Sequence, residues 1–290
     1  MRPGSAHALV LSLVLLAQGC RGGDGNAALR ADTALTPEVP QPPHDSLLPP
    51  GPVGESIRRG RALLADTRDS LPEHVGNRLR CFSCHLEDGT KPGFLTLIGV
   101  YSRFPQYRSR NAQINLIEDR INDCFERSMN GKPLARDGRA MRDIVSYFAW
   151  LSRGVAPPGD IPGVGLPRMA SVTPDTARGR AVFESTCTRC HGADGLGTPI
   201  APPLWGAESF NVGAGMARLR TAAAFIRYNM PNDRVVVLSD SQAFDVAAYV
   251  VSRPRPDFAK KVDDWPYGDA PPDVAYPTRS TARKVAAPNP

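Results

Sequence analysis

Residues 81–85 read Cys-Phe-Ser-Cys-His, and residues 187–191 read Cys-Thr-Arg-Cys-His. The same short pattern stands twice, and each copy occupies the same place in a longer, imperfect repeat. Arg59-Gly60-Arg61-Ala62-Leu63-Leu64 precedes the first copy, and Arg178-Gly179-Arg180-Ala181-Val182-Phe183 precedes the second. Between these landmarks the first repeat carries 13 more residues than the second. Each repeat closes on an amphipathic helical pattern. In ARDGRAMRDIVSYFAWLSRG (135–154), Met141, Ile144, Val145, Phe148 and Leu151 share one face at three- and four-residue steps. In SDSQAFDVAAYVVSR (239–253), Phe244, Ala247, Ala248 and Val251 do the same, with Ser241 as the expected cap. Thr173-Pro174 is expected to start the second repeat's first helix, threonine capping and proline fitting the first turn.

Cys-x-x-Cys-His is chemically specific. Its two cysteines can form thioethers with the vinyl groups of a haem, and the adjacent histidine can then ligate the iron. The alternatives are a thioredoxin-like redox pair or half of a zinc site. A redox pair belongs in a strand-to-helix turn of an α/β pattern, which is absent from the sequence. Two motifs could combine on zinc, but each sits in its own repeat. The sequence therefore predicts two covalent haems, attached through Cys81, Cys84 and His85 and through Cys187, Cys190 and His191. The fold class that follows is mainly α. Residues 54–155 form one small domain and 173–253 a second, joined by a glycine- and proline-rich linker at 156–172.

The N-terminus points to export. Arg2 precedes a short apolar run, Ala8 to Ala17, of signal-peptide rather than membrane-spanning length. It runs into Leu16-Ala17-Gln18-Gly19-Cys20, a lipobox-like ending with alanine where leucine is usual. Lipidation of Cys20 and ordinary cleavage nearby are both compatible with this leader (1–20), and either predicts a periplasmic protein. Residues 21–53 are rich in proline and small residues and are expected to form an extended tether, with His44 solvated. Residues 254–290 are expected to wrap the surface with Trp265 as an anchor. The net charge of +6 favours small anions or an acidic partner. Without a dense basic run or interleaved aromatics, it does not point to nucleic acid.

The distal iron ligands separate the two domains. In the second, Met230 precedes Pro231 just ahead of the last helix, with Met216 as the alternative. In the first, Met129, Met141 and the spare imidazole of His74 compete with Cys124. Of six cysteines, four belong to the haem motifs and Cys20 to the leader, so Cys124 has no disulfide partner. It is either a free buried thiol or a thiolate favoured by Arg110, Arg120 and Arg127, which flank it in sequence.

Three further stretches carry a resemblance: Val75-Gly76-Asn77-Arg78-Leu79-Arg80-Cys81, Ile121-Asn122-Asp123-Cys124-Phe125-Glu126-Arg127-Ser128-Met129-Asn130-Gly131-Lys132, and Asp264-Trp265-Pro266. The chain resembles the dihaem, tetrathionate-forming thiosulfate dehydrogenases, whose domains are of class I cytochrome c type. The resemblance implies a catalytic first haem with His85 and Cys124 as axial ligands, and an electron-transferring second haem with His191 and Met230. It implies anion-binding roles for Arg110 and Arg120, and places Ser128 in the same pocket. It also implies a periplasmic electron acceptor such as a small cytochrome c. Some relatives carry lysine immediately before the second distal methionine, where this chain has Asn229. Two rival readings remain at this level. One is the cysteine-ligated cytochrome subunit of a thiosulfate-oxidising multienzyme system, and the other a non-enzymatic dihaem electron carrier.

Overall fold

A computed structural model describes residues 40–91, 95–155, 164–234 and 237–280. The first repeat runs α1 (Gly51–Ala65), α2 (Thr67–Ser70), a two-stranded antiparallel hairpin of β1 (Gln106–Arg108) and β2 (Gln113–Asn115), α3 (Ile117–Asp123) and α4 (Arg139–Leu151). The second runs α5 (Thr176–Val182), α6 (Thr188–His191), α7 (Leu219–Asn229) and α8 (Asp240–Val251). No helix among the described residues is long and apolar enough to cross a membrane.

The repeated Arg-Gly-Arg has a structural purpose. In each repeat the first helix packs against the last, α1 on α4 and α5 on α8. At both contacts the glycine lets the backbones touch. A Cβ on Gly60 would lie 2.0 Å from the carbonyl oxygen of Asp143, and one on Gly179 the same 2.0 Å from that of Asp245. The arginine before each glycine then closes the crossing. Arg59 donates through Nε and Nη2 to the Asp143 carboxylate at 2.9 Å each. Arg178 donates to Asp245 at 2.8 and 3.1 Å. Forked guanidinium–carboxylate pairs of this kind fix orientation as well as distance.

Several local expectations need correction. Helix α5 starts at Thr176, capped by Asp175, whose carboxylate accepts from Ala177 N and Arg178 N. Thr173 does not cap it, because Asp175 offers an ionised acceptor to two orphan amides. Helix α8 is capped by Ser239, not Ser241. Ser239 Oγ accepts from Gln242 N while Gln242 Oε1 accepts from Ser239 N, a reciprocal capping box. The end of the expected tether is folded. Asp45–Leu47 form a 3-10 turn, α1 already starts at Gly51 with proline in its first turn, and Leu48 packs against the core. His44 is solvent-exposed, as expected, and its Nδ1 accepts from Ser46 N. The leader and Cys20 lie outside the described residues.

The two repeats share packing. Phe210, Ala214 and Ala217, from the segment between α6 and α7, are buried in the same cluster as Ile57, Leu79, Phe125 and Ile144 of the first repeat. Backbone groups seat that segment. Asn77 Nδ2 donates to Ser209 O at 3.0 Å, and Asn211 Nδ2 to Glu126 O at 2.8 Å. The chain after α8 also returns to the first repeat. Asp264 accepts two bonds from Arg127, at 2.7 and 2.8 Å, and Trp265 is only 3% exposed.

Candidate active site

His85 and His191 are prepared in the same way. His85 Nδ1 donates to the carbonyl oxygen of Leu95 at 2.7 Å, and His191 Nδ1 to that of Pro202 at 2.8 Å. A carbonyl can only accept, so each bond sets the tautomer and leaves Nε2 with its lone pair, as an iron ligand needs. Burial pushes His85 down to about 4, so the ring is neutral. His191 is lowered for the same reason.

Helix α3 ends in a π-helical turn, Cys124–Ser128, which turns the chain toward a cavity. Such turns recur at functional sites because they re-aim side chains out of the helical register. Cys81, Cys84, His85, Arg120, Cys124 and Ser128 all line this cavity. Its walls are otherwise largely apolar, from Leu64, Leu79, Leu97, Val100, Phe104, Ile117, Ile121, Phe125 and Phe148. Arg120 and Cys124 are four residues apart, hence on one face of the turn, and Arg120 Nη1 donates to Cys124 Sγ at 2.9 Å. The same proximity raises the Arg120 pKa, chiefly through the charge of Cys124. Burial pushes the Cys81 and Cys84 thiols up to about 12, with Cys124 adding to the rise.

These residues fit a haem. The donor set of two unpaired thiols, a tautomer-fixed imidazole and a further thiol shares one cavity with an apolar wall, as a porphyrin face requires. His85 and Cys124 would hold the iron, with Cys81 and Cys84 as thioether donors. In the second repeat Cys187 of the motif packs against an aromatic cluster of Phe183, Trp205 and Tyr249. Met230 directly follows α7, while the alternative, Met216, packs against the first repeat's core. Asn229, one residue before Met230, is 1% exposed, with both amide atoms unpartnered. Among the described residues no group of three or more His, Cys, Asp or Glu gathers to hold another metal.

Other candidates fall elsewhere. Met141 is buried on α4 at 1% exposure and lies outside the cavity lining, whereas Met129 does line the cavity. His74 lies away from it, within 3.2 Å of Lys132 O. Arg127 is committed to Asp264. Arg110 is not among the lining residues: its Nη1 donates to Gly213 O at 2.7 Å, and its guanidinium stacks 4.7 Å from the Trp265 ring centre. Burial, with Arg127 nearby, pushes Arg110 down to about 10. Two arginines that the sequence did not single out, Arg103 and Arg108, do line the cavity. The alternation in Gln106-Tyr107-Arg108 was the available signal, since only Tyr107 is exposed.

Comparison with known proteins follows the same division. A family model described as SoxA/TsdA, cytochrome c domain, matches residues 74–156, and one described as cytochrome C oxidase, cbb3-type, subunit III, matches 174–250. The chain is 46% identical over 233 residues to a thiosulfate dehydrogenase of Allochromatium vinosum, covering 77% of this chain and 86% of that one. It is 41% identical over 223 residues to one from Stutzerimonas stutzeri, covering 74% and 73%. A solved structure of the thiosulfate dehydrogenase TsdBA from Marichromatium purpuratum superposes with a TM-score of 0.74 at 35% identity. That match covers 89% of this chain, which spans 55% of the other's length.

Proposed function

This chain belongs to the thiosulfate dehydrogenase family, a cytochrome of two c-type domains with two covalent haems, and we propose that it couples two thiosulfates into tetrathionate at the Cys124 cavity. The observation that carries this reading is the Arg120–Cys124 contact inside the cavity that also holds the first haem motif. The contact sets a cationic donor on the Cys124 sulfur, the atom that this reading uses as soft ligand and nucleophile. Bound haems would supply one-electron acceptors for the two electrons that each tetrathionate releases; His85 and Cys124 would hold the first, and His191 and Met230 the second.

The chain's own residues answer the main obstacle, the repulsion between two dianions. Arg120 presents forked donors suited to sulfonate oxygens. Ser128, on the same π-helical turn, adds a hydroxyl at the cavity wall, and Asn77 holds its backbone through a 2.9 Å bond to Ser128 O. Arg110 supports the site from outside by tying the first repeat to Gly213 and Trp265. The Cys124 sulfur forms a disulfide bond to the terminal sulfur of the first thiosulfate, and the two electrons released pass to the protein's one-electron acceptors. The second thiosulfate attacks that sulfur, the bond to Cys124 breaks, and tetrathionate departs with the Cys124 thiolate restored. A trapped sulfur adduct on Cys124, read by mass spectrometry, is expected. Turnover that persists in Cys124→Met would rule out the covalent step.

An exported setting and a small cytochrome c as electron acceptor belong to the same reading. The test is thiosulfate-dependent ferricyanide reduction by the purified dihaem protein, with tetrathionate quantified. One tetrathionate per two electrons is expected. Because the first family model spans two kinds of protein, activity without a partner subunit separates this enzyme from a multienzyme component. Two redox-active haems with no sulfur chemistry would leave an electron carrier.

A further inference from the structure

We propose that Arg108, at the end of β1, is a substrate-binding residue that holds the oxyanion end of a sulfur dianion beside Cys124, the task the sequence resemblance assigned to Arg110. The inference rests on the reading of the cavity as a thiosulfate site and deepens it.

The strand places Arg108. Along β1 the side chains alternate, Tyr107 standing outward at 51% exposure while Gln106 and Arg108 line the cavity. The guanidinium has little to hold. Arg108 Nη1 reaches Gln106 Oε1 at 3.4 Å, and among the described residues no carboxylate oxygen lies within 4 Å of it. The buried Arg127, by contrast, meets Asp264, and the more exposed Arg59 and Arg178 at the helix crossings meet Asp143 and Asp245. Arg108 instead faces other cations. Burial first, then the charges of Arg120 and Arg103, pull its pKa down, opposed by Asp123 and Cys124.

A guanidinium held in a largely apolar cavity, beside another and without a carboxylate partner, is an arrangement that an incoming anion relieves. The chemistry calls for two such groups. Coupling two dianions requires two sets of donors, approaching from different directions. Arg120 comes from α3 and is already bonded to the Cys124 sulfur. Arg108 comes from the hairpin and keeps most of its donors open. Arg110 is not among the cavity-lining residues; its Nη1 is bonded to Gly213 O and its guanidinium stacks on the Trp265 ring.

The competing role for Arg108 is a structural partner of a haem carboxylate, and the test separates the two. Dihaem Arg108→Gln and Arg108→Lys proteins are compared with wild type in thiosulfate turnover. The midpoint potential of the first haem is measured alongside, with its spectral response to added thiosulfate and sulfate. For Arg108→Gln the expected result is a KM raised about 10–100-fold, the scale of a lost charge-assisted hydrogen bond. The kcat stays within about threefold of wild type, the potential is unchanged, and Arg108→Lys recovers part of the KM. An unchanged KM with a shifted potential overturns the proposal in favour of a haem partner. If wild type shows no thiosulfate turnover, the reading of the function fails, and the spectral titration alone decides on Arg108. A response lost in Arg108→Gln keeps the anion site, and an equal response overturns it.

Discussion

The two repeats share a frame and differ in what they leave open. Both cross their first and last helices over a glycine, lock the crossing with an arginine–aspartate pair, and fix a histidine tautomer on a loop carbonyl. In the second repeat Cys187 packs against an aromatic cluster in which Phe183, Trp205 and Tyr249 are centred 5.0–5.9 Å apart. In the first repeat a 3-10 turn at Tyr101–Arg103, the hairpin, α3 and the π-helical turn bring Arg103, Arg108, Arg120, Cys124 and Ser128 to a cavity. The proposed division of labour, substrate at the first repeat and electron transfer at the second, rests on this contrast. The largest expected effect breaks this asymmetry. Cys124→Gly should lower tetrathionate formation by about 10⁴-fold or more, the scale for removing a nucleophile. Met230→Ala should leave the cavity's affinity for thiosulfate intact while slowing steady-state electron exit. Equal losses of thiosulfate binding in the two variants, measured by spectral titration, would refute the division of labour.

The first repeat also depends on the rest of the chain in a way the second does not. Its core takes in Phe210, Ala214 and Ala217, and the segment after α8 plugs Asp264 and Trp265 against Arg127 and Arg110. Asp264 is 3% exposed and also accepts from the Tyr276 hydroxyl at 2.7 Å. Asp264→Ala would strand the Arg127 charge at 8% exposure. Removing one member of such a buried pair costs about 3–5 kcal/mol. Denaturant unfolding should show that loss, and the first haem's spectrum should respond before the second's. A response confined to the second haem would contradict the packing.

What could be read from residues alone was whatever is local and periodic. The two haem motifs and the helical faces of α4 and α8 are counted within one repeat, and the isolation of Cys124 follows from a count of six cysteines along the chain. The pairing of Arg120 with Cys124 was within reach too, because a four-residue step is one helical face. The fate of Arg110 was not. It lies close to Arg108 in sequence, and only the hairpin's alternation and the distant Gly213 and Trp265 decide which guanidinium meets the cavity. The caps at Asp175 and Ser239 were missed by two residues each way, since several serines, threonines and aspartates near a helix start compete. The seating of residues 209–217 in the first core depends on contacts more than 80 residues apart, such as Asn211 to Glu126. No spacing rule carries that information.

The helix crossings offer a finer comparison. Gly60→Ala and Gly179→Ala each push a methyl group to 2.0 Å from a backbone oxygen, so the helices must part. Overpacking of this kind costs about 1–3 kcal/mol. The two losses should be similar when each variant is unfolded in denaturant. A marked excess at Gly60 would show that the crossing in the first repeat also sets the cavity.

The smallest expected effect concerns pH. The hydrogen bond from Arg178 holds the Asp245 carboxyl below the usual range, against the opposing pull of burial. For Asp143 burial alone would raise the carboxyl, but hydrogen bonds from Arg59 and Ser56 bring it below that range. A group depressed in the folded state stabilises the fold above its unfolded pKa, near 3.9 for aspartate, and loses that contribution as pH falls through the folded value. Stability from both crossings should therefore be flat at neutral pH and decline below about 4. Asp245→Asn and Asp143→Asn should each be less stable than wild type at pH 7 and approach it as pH falls toward 3. Haem ligation also titrates in acid, so the quantity to follow is the difference between variant and wild type at each pH. Convergence in one variant alone would show that only that repeat relies on its ionised crossing. A difference that stays constant would mean that the aspartates act through shape and neutral hydrogen bonding, with their charge contributing nothing.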